Sequence, residues 1–158
     1  MSTKTITRNG FFETNSSSTH SIVIKRSYRL DTSFVLEPDG SLLIHPGEFG
    51  WEWYTYRDCR TKASYCLTWL KEMELKYKTD VNVQTQMFIN VLKKNTKATD
   101  VIFVPRIGNC DEWGYIDHQS VECGGALVPA WKNAETLETF IFSPESVLKT
   151  GNDNEPEP

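Results

Sequence analysis

Thr61-Lys62-Ala63-Ser64-Tyr65-Cys66-Leu67-Thr68-Trp69-Leu70-Lys71-Glu72-Met73-Glu74-Leu75-Lys76-Tyr77-Lys78 is the stretch that decides the fold. Ala63, Cys66, Leu67, Leu70, Met73 and Tyr77 recur at threes and fours with charges between them, the period of an amphipathic helix, and Thr61 can cap its start. A second helix is expected from about Asp80, with Val83, Met87, Phe88, Val91 and Leu92 as its buried stripe and an end at Lys94-Asn95-Thr96. The two are expected to pack as an antiparallel pair. Strand-like runs flank them on both sides. Upstream, Thr19 to Lys25 reads as a strand entering the core, and Phe34-Val35-Leu36 and Leu42-Leu43-Ile44 around Glu37-Pro38-Asp39-Gly40 read as a β-hairpin. Downstream, Asp100 to Val104 reads as an internal strand closed by Pro105, and Gly114-Tyr115-Ile116 as a further strand with Asp117 and His118 at its end. Gly124-Gly125 marks a break, and Thr136 to Phe142 suits either a short helix or a strand. The expected fold is therefore α+β: a single domain over residues 1–150, with a mixed or mainly antiparallel sheet packed on a helical layer of two main helices. Residues 151–158, without core residues, are expected to form a disordered acidic tail.

Composition narrows the function. A chain of 158 residues with 39% hydrophobic and 12% aromatic content can bury one core. Its net charge of −4 and lack of a basic run argue against strong duplex nucleic-acid binding. No apolar stretch approaches the roughly 20 residues of a membrane helix, and the opening Met1-Ser2-Thr3-Lys4-Thr5 has no signal-peptide core, so no membrane partner and a cytosolic location are expected. Cys59, Cys66, Cys110 and Cys123 lack paired CxxC spacing and are expected to be free thiols, Cys66 as a small hydrophobe on the helix face. Cys110, His118 and Cys123 lie close enough in sequence to suggest a metal site, but a fourth ligand and the CxxC hallmark are missing. Neither a metal nor a cofactor is expected.

The candidate site comes from Phe12-Glu13-Thr14-Asn15-Ser16-Ser17-Ser18-Thr19-His20-Ser21, which runs directly into Ile22-Val23-Ile24. Hydroxyls, an amide and an imidazole gathered at the mouth of a buried strand exceed what a turn requires and suit ligand binding. Asn15, Ser16, Ser17, Ser18, Thr19 and Ser21, together with Asp117, Ser120 and Trp51, are the expected ligand-binding residues. His20 and His118 are expected to share that pocket and to be catalytic if the protein is an enzyme. Because Ser17 and His20 precede the apolar run, the core is expected to survive their replacement by alanine. Pro46 to Tyr56 concentrates Trp51, Trp53, Tyr54 and Tyr56 with Glu48 and Glu52; these aromatics suit either a nucleobase or protein surface, or core plugging.

Residues Arg8 to Ile24, and to a lesser extent Gly114-Tyr115-Ile116-Asp117-His118-Gln119-Ser120, resemble a family of small proteins of tailed bacteriophages and prophages that carry this N-terminal FETNSSSTHS signature. The resemblance implies a phage accessory protein in the host bacterial cytoplasm, in host takeover or counter-defence. The partner expected is a host protein or a small phosphorylated ligand. The alternative is a two-histidine phosphodiesterase-like hydrolase acting on a nucleotide or RNA: His118-Gln119-Ser120-Val121 is similar to the His-x-Ser/Thr-hydrophobic element of the two-histidine phosphoesterases, whereas His20-Ser21-Ile22 departs from it. Arg8, Ser16 to Thr19 and Glu122 are similar in order to elements of some ADP-ribosyltransferases, without the Glu-x-Glu or Gln-x-Glu pair. No Gly-x-Ser-x-Gly elbow supports a serine hydrolase.

Overall fold

A computed structural model of the chain describes residues 4–7, 19–50, 52–108, 110–117 and 122–151, with 4–7 and 122–126 as backbone alone. The fold is α+β. In chain order it comprises β1 (Lys4–Thr7), β2 (Ser21–Ile24), β3 (Ser41–Ile44), β4 (Glu48–Phe49), β5 (Tyr54–Tyr56), α1 (Cys59–Leu75), α2 (Asn82–Thr96), β6 (Asp100–Phe103), β7 (Tyr115–Ile116), a 3-10 segment (Glu122–Lys132), α3 (Ala134–Phe142) and β8 (Val147–Thr150).

The strands form a four-stranded antiparallel sheet in the order β1-β2-β8-β5 and two parallel pairs, β3 with β6 and β4 with β7. Ile22 and Ile24 of β2 and Leu148 of β8 turn into the core, and β8, the last of the described strands, sits between the early β2 and β5. The core runs without interruption from these strands to Cys66, Leu67 and Leu70 of α1, Phe88 and Leu92 of α2, and Leu137, Phe140 and Ile141 of α3.

Helix α1 starts two residues before the expected Thr61. The Asp58 carboxylate caps it by accepting from the Thr61 amide at 2.8 Å, so Thr61 supplies a donor and not the cap. It also ends early: Lys78 adopts φ 52°, the Thr79 amide returns to the Met73 carbonyl, and Tyr77 is left 40% exposed instead of joining the stripe. In α2 the buried positions are Phe88, Val91 and Leu92, continued by Val81 just before the helix. Val83, expected in that stripe, is 73% exposed because it lies five residues from Phe88, about 140° around the helix.

Helices α1 and α2, expected to pack on each other, both pack against α3, and the Trp131 indole stands between them, 5.3 Å from Trp69 and 6.2 Å from Phe88 by ring centroids. The α3 segment resolves as a helix because Asn133 caps it, its carboxamide oxygen accepting from the Thr136 amide, and because Leu137, Phe140 and Ile141 then share one buried face.

The expected hairpin is also replaced. Its turn exists, closed by Gly40 N–H donating to the Glu37 carbonyl, but Phe34–Leu36 forms no strand. Strand β3 pairs in parallel with β6 across the α1–α2 crossover, while Phe34 and Leu36 serve as knobs against the core, the Phe34 ring 5.9 Å from that of Phe142. For the same reason β6 is an edge and not an internal strand among the described residues, with Ile102 42% exposed. Gly151, expected to begin the tail, is buried: its carbonyl accepts from the Thr19 amide, and its Cα lies against the Trp53 ring so closely that a Cβ would stand 2.3 Å from it. Residues 152–158 lie outside the described residues. No described helix is long and apolar enough to cross a membrane.

Candidate binding cleft

His20 immediately precedes β2 and is fully buried. Its Nε2 lies 3.0 Å from the Gly50 carbonyl and its Nδ1 2.9 Å from the Tyr65 hydroxyl. A carbonyl only accepts, so Nε2 carries the proton, Nδ1 accepts, and Tyr65 donates. This tautomer suits a neutral ring. Burial is the largest influence on the imidazole and holds its pKa below the usual value, opposed by the Gly50 carbonyl and the charge of Asp117. Tyr65, buried with it, has its phenol pushed up by loss of solvation.

Among the expected site residues, His20 and Asp117 are brought together: Asp117 is buried at the end of β7, held by its amide to the Phe49 carbonyl at 2.9 Å, and its charge reaches the imidazole. Thr19 and Ser21 are absorbed into the sheet, Thr19 through its bond to Gly151 and Ser21 through its register with Lys149. Asn15, Ser16, Ser17, Ser18, Trp51, His118 and Ser120 lie outside the described residues, as do Arg8 and the side chains of Glu122 and Cys123. Cys110, from the suggested metal trio, is exposed, while Cys59 and Cys66 are buried free thiols pushed up by desolvation, Cys59 to about 11. His45 is exposed after β3.

From His20 a chain of ring contacts leads to the surface. Tyr65 meets Phe49 edge-on at 4.8 Å, Phe49 meets Tyr56 at 6.0 Å, and Tyr56 lies 5.5 Å from Tyr54, which is half exposed. Tyr54 and Tyr56 share a face of β5 because successive strand side chains alternate. That face, with Phe49, Gly50 and Tyr115, lines an open cleft of about 570 Å³. Its rim is acidic: Glu48, Glu52 and Asp111 all line it and are exposed. The Glu48 carboxylate is paired with Arg106 at 2.6 Å. Glu52 acts on Tyr54 by hydrogen bonding and by charge, pushing that phenol up.

Past Asp111 and Tyr115, which line both, the surface continues into a second cleft of about 390 Å³. There the Lys71 ammonium lies 4.5 Å from the centre of the Trp113 ring and 3.1 Å from Glu74. Strand β7 reaches this position only because Gly114 adopts φ +79° against β4: a Cβ there would stand 2.2 Å from the Gly47 carbonyl oxygen. The sequence marked the aromatic segment but not the cleft, since Asp111 and Tyr115 arrive from more than fifty residues downstream.

No family model, curated protein or solved structure matches this chain.

Proposed function

We propose that this chain is a binding protein, a phage accessory protein acting in the cytoplasm of a bacterial host, and that it engages a host protein through the tyrosine-walled cleft between β4, β5 and β7. The observation that carries the binding reading is the half-exposed Tyr54–Tyr56 face standing on a buried support of Phe49, Tyr65 and His20. Aromatic side chains on a rigid base offer large contact area with few torsions to freeze, as binding hot spots require. The phage origin rests on the resemblance of Arg8 to Ile24 and Gly114 to Ser120. Of the two ligand classes the sequence suggested, the host protein is favoured, because Glu52 and Asp111, with Glu48 balanced by Arg106, would repel a phosphate at this cleft. As an acid–base group His20 is poorly placed: both its nitrogens are engaged and neither meets solvent.

The test is crosslinking in host lysate with tagged wild type, Tyr54→Ala and Val83→Ala. Val83 is exposed on α2, which contributes nothing to the cleft lining. A partner captured by wild type and Val83→Ala but lost with Tyr54→Ala, at unchanged circular dichroism, is the expected result. Equal capture by all three places the partner elsewhere and sinks the reading.

A further inference from the structure

We infer that the cleft between β4, β5 and β7 receives the ammonium or guanidinium head of a lysine or arginine side chain, carried on an extended, otherwise neutral segment of a protein partner. The inference rests on the reading of this cleft as the binding surface and adds the chemistry of what fills it.

Three observations carry it. The first is the wall itself: the Tyr54 and Tyr56 rings lie 5.5 Å apart at 34°, and a tyrosine face is the negative end of its quadrupole, which attracts a cation within about 6 Å. The second is charge balance. Of the three rim carboxylates, Arg106 pairs with Glu48, whereas Glu52 and Asp111 form no ion pair among the described residues. The third is independent of both. The adjoining cleft, across Asp111 and Tyr115, already holds the chain's own Lys71 ammonium over Trp113 beside Glu74, so the same surface shows the proposed contact filled internally. The β5 cleft has the same ingredients, ring faces and carboxylates, and no lysine or arginine among the described residues lines it; Arg106 reaches only Glu48 at its rim.

The adjoining site also selects the source of the cation. A free polyamine long enough to follow the surface would bring its second ammonium to the Trp113 face that Lys71 already occupies. A peptide with one cationic side chain and neutral flanks needs no second site. The volume of about 570 Å³ leaves room for flanking backbone as well as the head group.

The experiment is a titration of the full chain, labelled with nitrogen-15, followed at the backbone amides of Tyr54, Tyr56 and Tyr115. The probes are capped Gly-Gly-Lys-Gly-Gly, its arginine, norleucine and glutamate counterparts, spermidine and inorganic phosphate. The lysine and arginine peptides are expected to shift these amides at least about tenfold more tightly than norleucine, and Glu52→Gln and Tyr54→Ala to weaken them about fivefold or more. Norleucine binding as well as lysine overturns the cation inference but leaves the cleft reading standing. Tighter binding of spermidine than of the lysine peptide overturns the peptide source, and shifts with the glutamate peptide or phosphate overturn the sign of the charge. Silence of the three amides with every probe overturns the inference and the cleft reading together.

Discussion

An imidazole sealed from water with one donor and one acceptor satisfied is a structural fixture, and His20 fits that description. Replacing it with alanine leaves the Tyr65 hydroxyl and the Gly50 carbonyl without their partner and opens a cavity under the cleft. Together these are expected to cost about 3 kcal/mol, read as a lowered midpoint in denaturant melts. A loss of that size is contrary to the expectation that the core survives this replacement. The pH dependence has a definite sign. Burial holds the folded-state pKa of His20 below the ordinary 6.5, so well above pH 6.5 the ring is neutral folded and unfolded alike. As pH falls below 6.5 the unfolded chain takes up a proton that the folded chain resists, and stability drops. The difference in stability between wild type and His20→Gln should therefore shrink as pH falls from 6.5, and a constant difference would remove His20 from the account. The sequence singled out His20 and His118; that His20 is sealed in the core follows from a contact with Tyr65, forty-five residues away, which no local pattern encodes.

At the scale of elements, the β4–β7 pair is the joint on which the cleft depends. It is two residues per strand, with the Tyr115 amide bonded to the Gly47 carbonyl and the Asp117 amide to Phe49. Gly114→Ala places a methyl in the space of the Gly47 carbonyl and asks alanine for a left-handed backbone. The expected outcome is loss of this pair: exchange protection at Tyr115 and Asp117 falls to background, while the β2–β8 amides, in a separate sheet, remain protected. Full protection at Tyr115 in the variant would show that β7 does not need the close approach. The helices were legible in the sequence because a period of 3.6 is a local property, and Cys66, Leu67 and Leu70 occupy the face it foretold. Their ends were less so. Asp58 outcompetes Thr61 as the cap, and Lys78 closes α1 in a left-handed conformation that no glycine announced.

Across the whole molecule, Lys62 is the side chain that joins the layers. Fully buried on α1, its ammonium donates to the Ser143 and Ser146 carbonyls between α3 and β8, at 2.7 and 3.0 Å, while the Ser143 hydroxyl donates to the Lys25 carbonyl after β2 and the Ser146 hydroxyl accepts from the Lys25 amide and donates to the Thr139 carbonyl. Desolvation lowers its pKa from the usual 10.5 to about 8. Below pH 8 the lysine is charged in both states and the burial penalty is fully present. Between about 8 and 10.5 the folded chain has released a proton the unfolded chain still holds, so this group's contribution to stability rises with pH, by on the order of 3 kcal/mol over the window. The neutral amine keeps two N–H donors for the two carbonyls. Stability curves of wild type minus Lys62→Met, which cancel the shared titration of thiols and phenols, should rise across that window. A flat difference would show that the two carbonyls hold the ammonium charged after all.

What the sequence determined by itself was everything set by neighbours along the chain: the two long helices, the β2 and β6 runs, the Glu37–Gly40 turn and the α+β class. What only the tertiary structure decided was partnership. Strand β3 took β6 and not Phe34–Leu36, Trp131 and α3 came between α1 and α2, and Tyr115 and Asp111 crossed to Tyr54 and Glu52 to make the cleft. The physical reason is that periodicity and capping are energies of residues within a turn or two of each other. Pairing and clefts are set by competition among distant apolar faces for the same buried volume.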